Sequence, residues 1–168
     1  MTASVTTDVV PSAQLASSFG MIGMNPEASF YPGRQIVAKA GGLFSEVDPK
    51  FREIYINQVS GRIPGTRFGL HHLMVDASPA EVIEILRELG GAVSPYHFYE
   101  LLRHTPEALL PLLMPQKSLL VRLTTNTVHD VLTEVVVNRG LGHKLRMHKD
   151  DDVIIPRDSL LFVSLGEL

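Results

Sequence analysis

Residues 66–91 read TRFGLHHLMVDASPAEVIEILRELGG, and the spacing of apolar side chains changes midway through this stretch. Polar and apolar residues alternate over 68–75, and this alternation predicts a β-strand. Apolar side chains over 78–89 recur instead every three or four positions, which predicts a helix. A strand followed at once by a helix indicates a fold that mixes both kinds of element.

The helix in this stretch has clear start and stop signals. Ser78 can cap it, Pro79 stands at the first helical position, and Glu81 can close a capping box. Gly90 and Gly91 are typical of a helix end. The face expected to lie in the core is formed by four apolar side chains: Val82, Ile85, Leu86 and Leu89.

Two segments upstream also predict β-strands. They are residues 34–38 and residues 51–59, the latter reading FREIYINQV with side chains that alternate between two faces. The loop 60–65 is rich in Gly and Pro and separates 51–59 from the strand over 68–75. We therefore expect a β-hairpin over 51–75.

Three helices are predicted downstream. Ser94-Pro95 starts one of them, and Thr105-Pro106 either starts the next or breaks the first. The third is expected over 128–136 because its apolar residues have helical spacing, with Asn126 or Thr127 as its cap.

Three more strand regions are predicted in the second half of the chain. They cover residues 117–124, residues 143–148, and a last region formed by 153–155 and 159–165, either as a pair of strands or as one bent strand. Pro156 lies within this last region and is expected to place the strand at a sheet edge or at a bulge.

These patterns together predict a single α+β domain over 31–168. We expect a mixed or antiparallel sheet with about three to four helices on one face. Residues 1–30 predict a flexible N-terminal arm, or an arm that packs on a neighbouring subunit. The strand–helix units at 68–91 and 119–142 indicate either an internal repeat or ordinary α+β construction.

The composition excludes several classes of protein. The chain has 168 residues, 45% of them hydrophobic, and a formal net charge of −3. These values are typical of a globular domain and not of a nucleic-acid-binding protein. No cysteine is present, which excludes disulfides, zinc–thiolate sites and cysteine nucleophiles. Without a signal-peptide pattern or a bilayer-length apolar run, we expect a soluble cytoplasmic protein with no membrane partner.

His71, His72 and Asp76 form a dense group of titratable side chains inside an apolar run. On an extended strand His72 and Asp76 share one face, and His71 lies on the other. At ~3.3 Å per residue, His72 and Asp76 lie about 13 Å apart unless the chain bends after Val75. His72 and Asp76 are therefore the candidate catalytic residues, provided that a pocket reaches them.

The run His71-His72-Leu73-Met74-Val75-Asp76 resembles the HHxxxDG motif of chloramphenicol acetyltransferase and of peptide-synthetase condensation domains. Ala77 stands where that motif has its glycine, and the similarity covers about six residues of 168. The resemblance implies that His72 deprotonates the acceptor nucleophile and that Asp76 holds the shape of the site. It also implies a helix after the motif.

Two alternatives remain for the histidines. In the first, one residue of the pair His71 and His72 is buried and hydrogen-bonded for structural reasons, and the other lies at the surface or an interface. The second alternative is a metal site, since the chain has seven histidines, although no HExxH spacing occurs. The other five are His97, His104, His129, His143 and His148.

Because no complete catalytic set is present, we expect a non-catalytic binding or adaptor module that binds a small molecule or a protein. Self-association into a homo-oligomer is expected from the apolar arm, the apolar block 109–114 and the apolar last strand. The alternatives are a small enzyme that uses His72 as a general base, and a metal-binding protein with histidine and carboxylate ligands.

Overall fold

The computed structural model describes residues 19–21, 30–59, 65–105, 110, 112–114, 116–124, 131–138, 140–149 and 152–167. These residues form four helices, in chain order α1 Pro32–Gln35, α2 Pro49–Tyr55, α3 Pro79–Leu89 and α4 Pro95–Arg103. They also form seven strands: β1 Phe19–Met21, β2 Phe44–Val47, β3 Thr66–His72, β4 Ser118–Val121, β5 Leu132–Val136, β6 His143–His148 and β7 Leu160–Glu167. None of these four helices has the length and apolar character needed to cross a membrane.

The seven strands join in one sheet in the order β1-β3-β7-β4-β5-β6-β2. β4 runs parallel to β7, β2 runs parallel to β6, and the other neighbouring pairs are antiparallel. The predicted α+β class with a mixed sheet is therefore confirmed.

The strand β7 lies in the interior of this sheet, third of the seven strands. It is antiparallel to β3, with Leu160 opposite His72 and Glu167 opposite Thr66, and it is parallel to β4. The expectation of an edge position for this strand is therefore wrong. Pro156 precedes the strand and removes no donor from its ladder. The apolar run 160–163 is buried, as a strand covered on both faces requires.

Apolar side chains project from both faces of the sheet. Leu119 and Val121 of β4 belong to a cluster that includes side chains of α2 and α4. Leu120, which points the other way, belongs to a second cluster that includes the core face of α3. The helices therefore lie on both faces of the sheet and not on one, because each face presents its own apolar stripe.

Both predicted Ser-Pro helix starts are confirmed. Ser78 Oγ accepts the N–H of Glu81 at 3.2 Å, and a Glu81 carboxylate oxygen accepts the N–H of Ser78 at 2.9 Å. Ser94 Oγ accepts the N–H of His97 at 3.1 Å and so begins α4. Val82, Ile85 and Leu86 are buried, as the spacing in α3 predicts.

The two predicted upstream strands are wrong, and with them the hairpin over 51–75. Residues 32–35 form the short helix α1, and residues 49–55 form α2. Asp48 begins α2 by accepting the N–H of Lys50 at 3.0 Å, and its other oxygen accepts the N–H of Met147 at 3.1 Å. The buried side chains Phe51 and Tyr55 stand one helical turn apart, so the alternating letters of FREIY also satisfy a helical period.

The predicted helix over 128–136 is also wrong, since residues 132–136 form strand β5. Thr133, Val135 and Val136 are β-branched and pair with β4 or β6. Gly140 and Gly142, with φ of +85° and +92°, then belong to the turn that leads to β6. Residues 131–138 and 140–142, the described part of the second predicted strand–helix unit beyond its strand, therefore contain no helix, and they do not support the internal repeat.

Part of the predicted arm belongs to the folded domain. β1 pairs with β3, and Phe30 is buried with its ring centroid 5.5 Å from those of Tyr96 and Tyr99. The rest of the arm, 1–18 and 22–29, lies outside the described residues. So do the segment 106–109, where a helix start was predicted, and the predicted caps Asn126 and Thr127.

Candidate functional site

A cleft of about 490 Å³ opens between α4, the turn before β2 and the turn between β5 and β6. These three segments are far apart in the sequence and meet because β2 is the neighbour of β6 in the sheet. The cleft is lined by Gly41, Gly42, Leu43, Tyr99, Leu102, Arg103, Asn138, Gly140, Gly142 and His143.

Glycines form much of one wall of this cleft. Gly41, Gly140 and Gly142 have φ of +74°, +85° and +92°, a backbone conformation that glycine adopts without a steric penalty. A Cβ atom at Gly41 or Gly140 would meet no atom within 4 Å, so both face open space. A Cβ atom at Gly142 would lie 2.8 Å from the backbone nitrogen of Ser45, so this glycine permits close packing on β2.

Helix α4 provides another part of the lining, including the cation Arg103. Arg103 donates from Nη2 to a carboxylate oxygen of Glu100 at 2.9 Å, and its guanidinium carbon lies 5.6 Å from the ring centroid of Tyr99. The Glu100 side chain is buried, whereas 49% of the Arg103 side chain is exposed. One end of the guanidinium is therefore held by the protein, and the rest faces solvent at the cleft.

His143 lies beneath the turn between β5 and β6 and is 2% exposed. The backbone N–H of Asn138 donates to its Nδ1 at 2.9 Å, which requires a lone pair on that nitrogen. The imidazole is therefore neutral and carries its proton on Nε2. Its ring centroid lies 6.1 Å from that of Phe44, so β2 also holds it in place.

The described lining of the cleft combines polar groups with apolar surface. Arg103 and Asn138 carry N–H donors, and Tyr99 carries a hydroxyl group. Among the described lining residues none is a Ser, Thr or Lys that could act as a nucleophile, and none is acidic. Leu43 and Leu102 add apolar surface. This combination is suited to orienting a polar small molecule.

The structure does not bring His71, His72 and Asp76 together in this cleft. β3 places His71 and His72 on opposite faces, with His71 buried and His72 half-buried. Asp76 is exposed and accepts the N–H of Arg157 at 2.9 Å, which fixes the turn before β7. Asp76 therefore has a structural partner, and the catalytic role predicted for His72 and Asp76 stays a prediction.

His72 has an electrostatic environment of its own at the end of β3. Burial and the nearby Lys117 ammonium lower the pKa of His72, while Asp158 acts in the opposite direction. His72 is therefore neutral at neutral pH, a state in which an imidazole can accept a proton.

The remaining described histidines are dispersed. His97 is buried beside Phe68, and burial lowers its pKa to about 4. His104 is exposed, and His143 and His148 lie on opposite faces of β6. Within the described ranges, no three His, Asp or Glu side chains are close enough together to hold a metal ion. His129 lies outside those ranges.

A second polar group is buried in the sheet itself. Ser118 of β4 donates to one carboxylate oxygen of Glu134 at 2.5 Å, and His148 Nε2 lies 2.8 Å from the other oxygen. Glu134 stands between the serine and the histidine, so His148 cannot take a proton from Ser118 directly. We interpret Ser118, Glu134 and His148 as a structural network.

Sequence reasoning missed the main residues of the cleft. Arg103 and Asn138 were not singled out, and His143 was considered only as a metal ligand. The glycines at 41–42 and at 140 and 142 are the signal that could have found it, since each set adjoins a strand end. Comparison with protein-family models, with curated proteins and with solved structures finds no match to this chain.

Proposed function

We propose that this protein is a small-molecule binding module and that its ligand occupies the cleft between α4 and the turn from β5 to β6. The observation that carries this proposal is the cleft itself, with its volume of about 490 Å³ and a lining that includes the polar side chains of Arg103, Asn138 and Tyr99. Pockets that bind metabolites and drug-sized ligands have volumes of roughly 300–1,000 Å³.

The walls of the cleft also support this function because they are held in place before a ligand arrives. Arg103 is bound to Glu100, and His143 is bound to the backbone of Asn138. Such preorganisation lowers the entropy lost on binding.

A binding experiment on the whole chain tests this proposal. We would record amide NMR spectra while adding AMP, adenosine, ribose 5-phosphate, citrate, tryptophan and glucose in turn. We expect at least one of them to shift the signals of Gly41, Asn138 and Gly140 in a saturable way. Asn138→Trp should fill the cleft and weaken that binding about tenfold or more, because the indole occupies the ligand's volume.

Asn57→Trp is the matched control, since Asn57 is exposed and is not among the residues that line the cleft. This variant should bind as the unmodified protein does. The proposal is overturned if no compound shifts the cleft signals, or if Asn138→Trp and Asn57→Trp bind equally well.

A second function, a small enzyme with His72 as its general base, is supported by the neutral state of that imidazole. Release of free thiol from acetyl-CoA, measured with a panel of amine and alcohol acceptors, tests acyl-transfer chemistry. Turnover that disappears in His72→Ala supports the enzyme. Equal rates for both proteins, or no turnover, exclude His72 as the base of an acyl transfer to these acceptors.

We also propose that the chain self-associates. Met74, Val153 and Ile154 are exposed apolar side chains on two segments that are joined by the Ala77–Ile155 bridge. An apolar surface of this kind favours contact with another molecule. Light scattering at several concentrations tests this proposal, and a monomer that persists at high concentration contradicts it.

A further inference from the structure

We infer that the ligand of this cleft carries an oxyanion, a phosphate or carboxylate group, which binds Arg103 and faces the glycine-lined wall. This inference rests on the proposed function, because it specifies the ligand of the same cleft. Its first support is the free capacity of Arg103. A guanidinium has five N–H donors, and one hydrogen bond, to Glu100, is described for this residue.

The second support is the charge of the lining. Arg103 is cationic, and no described lining residue is acidic. Glu100 lies beside Arg103 but is buried and bound to it, so this carboxylate positions the cation instead of facing the cleft. Glu100 also offsets part of the positive charge, and we therefore expect simple anions to bind with millimolar affinity.

The third support is the shape of the glycine-lined wall. Because Gly41 and Gly140 have no side chain and face open space, a ligand can approach their backbone closely. Backbone N–H groups at such glycine turns are a common environment for phosphate and carboxylate oxygens. The apolar side chains Leu43 and Leu102, together with the ring of Tyr99, can contact the remainder of the molecule.

The experiment uses the full chain and two simple probes, sodium phosphate and sodium acetate. Each is titrated against the amide NMR spectrum, with sodium chloride at equal ionic strength as the reference. We expect saturable shifts at Gly41, Gly140 and Gly142 with one or both probes and none with chloride. The stronger probe tells a phosphate ligand from a carboxylate ligand.

Arg103→Gln should weaken that binding about tenfold or more, because a hydrogen-bonded charge is removed. Arg103→Lys keeps the charge but loses the planar, forked arrangement of N–H donors. Its affinity for the anion should therefore lie between that of the unmodified protein and that of Arg103→Gln. Arg34→Gln is the matched control. Arg34 is also exposed and also stacks on a tyrosine, with its guanidinium carbon 4.5 Å from the ring centroid of Tyr31.

Three outcomes overturn the inference, and they differ in what they say about the proposed function. If any compound of the panel binds in the cleft but phosphate and acetate do not, the binding function stands and the oxyanion inference fails. If neither probe nor any compound of the panel shifts the cleft signals, both fail. Equal anion binding by Arg103→Gln and Arg34→Gln also overturns the role of Arg103.

Discussion

Glu134 is a buried carboxylate whose two oxygens are each bound by a side chain of a neighbouring strand. It is 6% exposed, and Ser118 and His148 lie on the same face of the sheet as its carboxylate. Burial raises its pKa, but the hydrogen bonds from His148 and Ser118 and the nearby charge of Arg146 outweigh this effect. The pKa of Glu134 is therefore lower than that of a free glutamate.

This lowered pKa predicts how stability depends on pH. Above the ordinary glutamate pKa of 4.5, the ionised form is present in both states and its hydrogen bonds stabilise the folded one. As the pH falls below 4.5 the unfolded state takes up the proton first, so this stabilisation is lost. The free energy of unfolding, measured with urea at pH 7 and at pH 4, should fall less between these two pH values for Glu134→Gln than for the unmodified chain.

Glu53→Gln is the matched control, because Glu53 is exposed on α2. It should keep the pH dependence of the unmodified chain. An unchanged dependence in Glu134→Gln would contradict the structural role that we assign to this network.

At the scale of single elements, the start of α3 gives the next prediction. The capping box joins Ser78 to Glu81 through two hydrogen bonds, and these bonds also lower the pKa of Glu81. Ser78→Ala should lower the free energy of unfolding by about 1 kcal/mol, because an N–H at the helix start loses its acceptor. Urea denaturation measures this change. Ser78→Asp should restore most of the loss, and a full loss in both variants would argue against capping.

The end of α3 depends on packing and not on a left-handed glycine. Gly90 has a φ of 174°, which any residue adopts, but a Cβ atom there would lie 2.6 Å from the carbonyl oxygen of Ser164 in β7. Gly90→Ala should therefore destabilise the protein by about 1–3 kcal/mol, the usual cost of overpacking. Thermal or urea unfolding measures the effect.

Gly91→Ala is a close control for this variant. A Cβ atom at Gly91 would stand 3.8 Å from the same oxygen, an ordinary contact distance. This variant should remain near the stability of the unmodified chain, and equal destabilisation by both variants would show that the clash at Gly90 is not the cause.

The elements differ in how far the sequence predicts them. Ser78 and Ser94 are followed by proline and by a clear apolar period, so local chemistry is sufficient to start both helices. Phe51 and Tyr55 suit a strand and a helix equally well, and the decision is made by Asp48, which caps α2 while binding β6. Residues 132–136 became a strand because β4 and β6 pair with them. Such partners are not visible in a single segment.

At the scale of the whole molecule, the cleft also depends on contacts between distant segments that a single segment does not reveal. The sequence predicts Ser94 as the start of α4, and so it fixes that Tyr99 and Arg103 stand one turn apart on a helix. It does not predict that 41–43 and 138–143 meet this helix. That meeting depends on the parallel pairing of β2 with β6, between segments almost a hundred residues apart. The sequence could therefore predict the part of the site on α4, but not the part formed by 41–43 and 138–143.

The interior position of β7 makes the sheet depend on this strand. β7 bonds to β3 on one side and to β4 on the other, and its Phe162 stacks on Phe68 of β3 with a centroid distance of 5.0 Å. β2, by contrast, is an edge strand of four residues. Opening of β7 therefore breaks its pairing with β3 and its pairing with β4, and so separates the two parts of the sheet. Opening of β2 breaks only its pairing with β6.

Native-state hydrogen exchange should report this difference. We expect the amides of residues 160–163 to exchange only through global unfolding, because both neighbouring strands must separate first. The amides of β2 should exchange faster, by local opening at the edge. Phe162→Ala should remove about 3–5 kcal/mol from the free energy of unfolding and speed exchange throughout the sheet. Exchange from 160–163 that is as fast as from β2 would place β7 at an edge and contradict the strand order.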